Sequence, residues 1–530
     1  MQEARQHALA WIDRQAARIS ADHQIVWNLC EPAWREYETS RWYAERLAAE
    51  GFAVERGTAG MPTAFRARWI SPAGPGPILA SYAEYDAVPG NAQDCVPFRK
   101  TRADLHETAP GFIDPHSALG IGSLYGVLAA KEAIARAGLR AELRLHGEPA
   151  ENMCGGKPMH AAHGFYDDLD AVIGWRPAAL RTLANTCVWD THCGCYWSRV
   201  YTFTCDDPGS WGDVSGDGNA ASHPHVRART PGALDALCLM YTTTKYSKEA
   251  MLPHAGSWSV NEAILSNAST TANNQAPRFA QIQYSWRAPD IAMAERILSV
   301  LENNARHVAA LTHTTVRGDW ISRTRPGLPN HALAEIVYAN MQAVGAPRWN
   351  DGVADFANAC LASAGRDAPA EPFAREMSAL ADPRDAERAL RATLPPWQTH
   401  YTSDDYVEYT WHAPTVKFLV GRARLADSNP SLEWINVALG GLPEAIDPTI
   451  VTAAKVIAST IVELAADPAS LKRSREEFNH RTGGGIGGAS WIAPLMDTGG
   501  PSPASFAWPD YARAGERKGW IVPVTAGACD

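Results

Sequence analysis

Apolar residues recur at helical spacing from the start of the chain, where Leu9, Ile12, Ala16 and Ile19 share one face and a second run ends at Gly51. Short β-rich runs then alternate with helical ones. The pattern predicts strands over 64–69 and 77–82, a long apolar helix over 118–137 closed by Gly138, and a strand over 141–146. A glycine-bearing loop, a helix near 157–166 and a strand over 170–175 follow. Strand–helix alternation of this kind implies an α/β domain with buried strands. Beyond about residue 185 the pattern changes: 188–203 is β-rich, 206–219 is a polar loop, 231–244 reads as helix, 279–288 as strand and 292–311 as helix. This is a β-α-β-α unit inserted into the first domain. Helices over 332–344 and 449–465 return the chain to α/β character, and the glycines 483–485, 487 and 488, set among prolines, predict an extended tail. The expected organisation is a catalytic domain in two parts, 1–189 and 319–478, an inserted unit over 190–318 and a tail over 479–530.

A chain of 530 residues is long for one domain, and 46% hydrophobic with 20% charged residues is a globular composition with a sizeable core. Forty-eight basic residues against 58 acidic ones give a net charge of −10, and no Lys/Arg-rich block stands out, which argues against a nucleic-acid partner. No uninterrupted apolar run reaches the ~18 residues of a membrane span. The charged opening segment MQEARQHALAWIDRQAARIS lacks the apolar centre of a signal peptide, so a cytoplasmic protein is expected. Ten scattered cysteines are no disulfide framework; Cys193-Gly194-Cys195 lacks the two-residue gap of common zinc sites and reads as reduced thiols in a strand.

In α/β sheets, ligand chemistry concentrates at the carboxyl ends of strands. Four such places carry metal-capable or charged side chains: Glu84 and Asp86 in SYAEYDAVPG, Asp114 and His116 before the long helix, Glu148, Glu151 and Asn152 in HGEPAEN, and Arg176 in WRP. Singly, an Asp or His at a helix start is usually a cap. Four at successive strand ends would be brought together by the fold.

In this order, EYDAVPG, DPHSALGIGSL, EPAENMCGGK and FYDDLDAVIGWRP, the chain resembles the amidohydrolase (p-aminobenzoyl-glutamate hydrolase-like) branch of the zinc aminoacylase/glutamate-carboxypeptidase metallopeptidase family. His223, the segment 233–236, Asn274, Arg287-Ala288-Pro289 and the segment 403–411 continue the likeness, which spans roughly residues 5 to 480. It implies a catalytic α/β domain with a mixed sheet, an inserted ferredoxin-like (α+β) lid that forms a homodimer, and a metal-activated water that cleaves an amide. On that pattern Glu151 is the general base, and His223 and Asn274 reach the substrate from the lid. Arg287, costly on an apolar strand unless paired, is expected to hold a substrate carboxylate or a buried acidic partner, and Asn152 to bind substrate.

Several positions depart from the branch. Asp114 stands where the branch has a Cys ligand, Asn152 where it has a second Glu, and Arg176 where it has a His ligand. Two site chemistries remain open. In one, a divalent metal (Mn or Zn) sits on Asp114 and His116 with help from Asp86, Glu84, Glu148, His400 or His412. In the other there is no metal, and Arg176 holds a carboxylate or a developing oxyanion. Glu151, with a raised pKa, would act as acid and base in either. The expected function is hydrolysis of an amide-type C–N linkage, outside main-chain peptides, in a small aromatic or carboxylated substrate. A metal-free lyase or hydratase, and a catalytically dead binding protein, are the alternatives.

Overall fold

The computed structural model describes residues 1–103, 105–212, 229–252, 258–267, 274–512 and 519–521. The strands of its two main sheets are, in chain order, β1 (Ala53–Arg56), β2 (Phe65–Ile70), β3 (Ile78–Glu84), β4 (Glu142–Glu148), β5 (Ala171–Pro177), β6 (Thr186–Cys187), β7 (Cys195–Thr204), β8 (Ser259–Asn267), β9 (Phe279–Ala288), β10 (Thr315–Arg323) and β11 (Thr415–Val420). The larger sheet has seven strands in the order β1-β2-β4-β3-β5-β11-β6. Its four central strands β4, β3, β5 and β11 run parallel, and the outer strands are antiparallel to their neighbours. The parallel strands are almost wholly buried, as strands covered on both faces must be, which explains their apolar runs.

The helices His116–Ala137 and Pro443–Ala466 pack against each other and help to cover this sheet. Both are long and apolar enough to cross a membrane, yet most of each is buried inside the protein, so they are core helices. Their packing is close: a β-carbon on Gly122 would lie 2.4 Å from the Trp175 ring.

The second sheet is antiparallel throughout, in the order β10-β7-β9-β8, with the helices Ala233–Met251 and Ile291–Leu311 supplying its own core around Trp197, Trp286, Ile297 and Leu301. The chain order is β-α-β-β-α-β, a ferredoxin-like arrangement. The periodicity alone predicts only β-α-β-α. It misses β8, a half-exposed edge strand with a register shift between Ile264 and Ser266 that breaks the alternation, and β10, which runs to Arg323.

The helix Pro468–Thr482 ends on the left-handed Gly483, and the described residues beyond it are irregular apart from a 3-10 turn, Pro503–Ser505, and an antiparallel pair of short strands, Asp510–Ala512 with Gly519–Ile521. They form a strap. The Trp491 indole donates to the Trp411 carbonyl at 2.5 Å, and Arg325 donates to the Ile492 carbonyl at 2.8 Å. Met496, Phe506 and Trp508 bury against Trp34 and Met61 of the large domain and Ile321 of β10.

Candidate active site

The carboxyl ends of β3, β4 and β5 bring the singled-out residues to one place. β3 delivers Glu84 and, just beyond it, Asp86. β4 runs into a tight 3-10 turn, Glu151–Met153, bracketed by two left-handed non-glycine residues, Ala150 (φ 54°) and Cys154 (φ 47°). Such residues cost of order 1–3 kcal/mol and persist only where their surroundings fix them. Here the buried Glu36 carboxylate accepts the Ala150 N–H at 2.8 Å and the Trp34 N–H at 3.0 Å, while Trp34 lies so close to Gly155 that a β-carbon there would be 2.3 Å from the ring.

Arg176, at the end of β5, is the hub. One terminal nitrogen donates to Glu151 Oε1 and Asp404 Oδ2, each at 2.7 Å; the other is paired with Asp114 and lies 3.1 Å from His116 Nε2. His116 opens its helix with Nδ1 2.8 Å from Asp86 Oδ1 and Nε2 2.9 Å from Glu151 Oε2. The second Asp86 oxygen accepts from the Asn152 amide and side chain. Two lysines complete the cluster. Lys157 is fully buried between Glu84 Oε1 at 2.7 Å and Asp405 Oδ1 at 2.6 Å, and Lys417, inside β11, pairs with Asp404.

This packing sets the protonation states. Burial alone would raise the Glu151 carboxyl, but Arg176 and His116 outweigh it and hold it well below the usual range. The raised pKa expected for Glu151 is therefore corrected, because the sequence did not reveal that Arg176 would clamp it. Asp114 and Asp404 are lowered too, against burial, by Arg176 and by Lys417 respectively. Burial would lower His116, but Glu151, Asp114 and Asp86 carry it well above the ordinary histidine value. Glu84 and Asp405 go the other way: burial raises both, and Lys157 only partly offsets it.

A cavity of about 350 Å³ adjoins the cluster, with Glu151, Asn152, Arg176, Arg287, Asp404 and Lys417 in its wall. Arg287 reaches it from β9, its guanidinium 5.0 Å from the Tyr196 ring centre, and among the described residues it makes no ion pair. Leu183, Val188 and Leu419, which pack together as one apolar cluster, line the same cavity.

Among the described residues, Glu84, His116 and Glu151 place one ligand atom each within 4.8 Å of one another, and so do Glu84, Glu151, Asp404 and Asp405. Glu84 Oε2 is buried without a hydrogen-bond donor, and Asp86 on Nδ1 leaves His116 Nε2 facing the carboxylates. A carboxylate–imidazole set with an orphaned oxygen and an oriented histidine fits a divalent cation.

The structure thus gathers Asp86, Asp114, His116, Glu151, Asn152 and Arg176, with Arg287 across the cavity. Asn274 is exposed and does not line it. His223 lies outside the described residues. His400 and His412 are bonded elsewhere, to the Gly327 carbonyl and to Asp167. All described cysteines are free thiols; Cys195 belongs to β7 and Cys193 faces the cavity. Lys157 and Lys417 were missed, although a lysine in the otherwise apolar run TVKFLV was a readable signal.

No family model matches the chain. It is 27% identical over 487 residues to a component of the p-aminobenzoyl-glutamate hydrolase of Escherichia coli, covering 88% of this chain and 94% of that protein. The chain is a homologue of that hydrolase. Mouse Xaa-Arg dipeptidase is 27% identical over 315 residues, 58% of this chain and 63% of the dipeptidase. Among solved structures, an aminobenzoyl-glutamate utilization protein from Klebsiella pneumoniae aligns over 85% of this chain and 98% of its own, at 14% identity and a TM-score of 0.49. These relatives are named as a hydrolase, a dipeptidase and a carboxypeptidase, enzymes of C–N bonds.

Proposed function

We propose that this chain hydrolyses an amide-type C–N bond in a small substrate carrying a carboxylate and an apolar or aromatic group. The observation that carries this reading is the Glu151–Arg176 pair in the cavity wall, beside a ligand set for a divalent ion and within a homologue of an amidohydrolase. Arg287, with no carboxylate partner among the described residues, takes the substrate carboxylate; Leu183, Val188 and Leu419 take its apolar part. A divalent ion on Glu84, His116 and Glu151, when bound, polarises the scissile carbonyl and makes a water acidic. Arg176 donates to the oxygen of the scissile carbonyl as charge develops there. In turning to that oxygen Arg176 frees Glu151 Oε1, which takes a proton from the attacking water and then hands it to the leaving nitrogen. Asn152 keeps Asp86 in place behind His116. The lid sheet leaves β8 as an edge strand, and we infer that this domain pairs with a second copy to make a homodimer.

The test is a set of N-acyl amino acids, aromatic and aliphatic, offered to the wild type and to Arg287→Ala. Turnover of these substrates with KM raised in the variant is expected. No turnover of any of them, or an unchanged KM, would sink the reading.

A further inference from the structure

We propose that the site takes a single divalent ion per chain, on Glu84, His116 and Glu151, and that Arg176 and Lys417 occupy the adjacent acidic position as built-in cations, so that no second ion binds there. The two acidic groupings share Glu84 and Glu151 but differ in what already neutralises them. In the four-carboxylate group every member holds a side-chain cation: Lys157 bridges Glu84 and Asp405, Lys417 is on Asp404, and Arg176 spans Asp404 and Glu151. Asp114, at its border, is on Arg176 as well. A cation entering that group would have to displace guanidinium or ammonium ions that are themselves nearly excluded from water, leaving them buried without partners.

The histidine-bearing group is different. Two buried carboxylate oxygens of the cluster, Glu84 Oε2 and Asp405 Oδ2, receive no hydrogen bond among the described residues, and Glu84 Oε2 is the one that faces His116, Lys157 taking the other oxygen of the same carboxylate. His116 Nε2 stands 3.7 Å from that oxygen and 2.9 Å from Glu151 Oε2. An ion there requires Arg176 to surrender its contact with His116 and its long 3.5 Å contact with Glu151 Oε2, while its 2.7 Å bond to Glu151 Oε1 can stay. Its bonds to Asp114 and Asp404 keep the guanidinium on the far side. The count rests on this ligand geometry and not on which bond is cleaved, so an inactive protein that still held one ion would count against the hydrolytic reading and leave this one standing.

The experiment is metal content by plasma mass spectrometry after full-length protein has been equilibrated with Zn²⁺ and freed of excess, with near-ultraviolet circular dichroism confirming the fold. One ion per chain is expected for the wild type, none for His116→Ala, and two for Arg176→Ala. Lys417→Met keeps the packing of the stem while removing its charge; it is expected to raise the count likewise, and it carries the test if Arg176→Ala does not fold. No ion or two ions on the wild type, an ion retained by His116→Ala, or a count of one in a folded charge-removing variant overturns the assignment.

Discussion

Arg176 meets three carboxylates at once, so its loss and its conservative replacement should differ in kind. Arg176→Lys keeps one charge but loses the planar fork that reaches Glu151, Asp404 and Asp114 together. Arg176→Ala removes the clamp that holds Glu151 low. The acid limb of kcat/KM is therefore expected below the ordinary carboxylate range in the wild type and at higher pH in Arg176→Ala, measured where circular dichroism shows folded protein; an unmoved limb would remove Glu151 from the base role. Glu151→Gln is expected to lose about 10²- to 10⁴-fold in turnover while remaining folded. Behind the site, Glu148 accepts from Tyr166 at 2.7 Å and Tyr409 at 2.5 Å and lies 2.8 Å from His160 Nδ1. Burial would raise its carboxyl, but His160 and Lys157 bring it down to about 2. A carboxyl lowered on folding stabilises the protein fully above its unfolded value, about 4.3, and less as the pH falls toward 2. Glu148→Gln should thus cost about 3 kcal/mol at neutral pH, the gap to wild type narrowing between pH 5 and pH 3 in thermal melts.

At the level of elements, the turn that presents Glu151 depends on Gly155. A methyl group there meets the Trp34 ring, which is itself fixed by Glu36 and by the strap. Gly155→Ala is expected to cost about 1–3 kcal/mol in stability and to lower kcat more than it raises KM, since the base moves while Arg287 does not. No sequence pattern foretells this contact, because Trp34 and Gly155 are far apart in the chain. The buried parallel strands β3, β4 and β5 were legible in 77–82, 141–146 and 170–175, where apolar runs end in turn residues, and the antiparallel β2 in 64–69; β11 was not, because Lys417 interrupts its apolar run, nor was β8, because an edge strand with Ile264 in solvent shows no alternation. That same edge makes an oligomer measurable: light scattering at micromolar concentration should give about 115 kDa, twice the 57.4 kDa chain, and a monomer would remove the lid pairing.

For the whole molecule, a second unit inserted into the α/β body was readable from the change in periodicity near residue 185, its ferredoxin-like form only from the resemblance, and the meeting of Asp86, Asp114, His116, Glu151 and Arg176 from their places at successive strand ends. The charge pattern was not. Lys157 and Lys417 become site residues only once β11 lies beside β5 and the helix Gly156–Ala162 lies beside Asp405, contacts between segments remote in sequence. The strap was legible as an extended tail or wrap, but its partners Trp34 and Ile321 were not, being remote from it in sequence.

That strap has a consequence for a shortened chain. Met496, Phe506 and Trp508 fill a hollow bounded by Trp34, Met61 and Ile321 of β10. Both main sheets and the candidate catalytic groups lie upstream of the strap, the last strand of the large sheet being Thr415–Val420. A chain cut back to residue 483 would therefore keep its chemistry assembled while bare tryptophan and methionine faced water, an adhesive patch that marks it for chaperones and proteases.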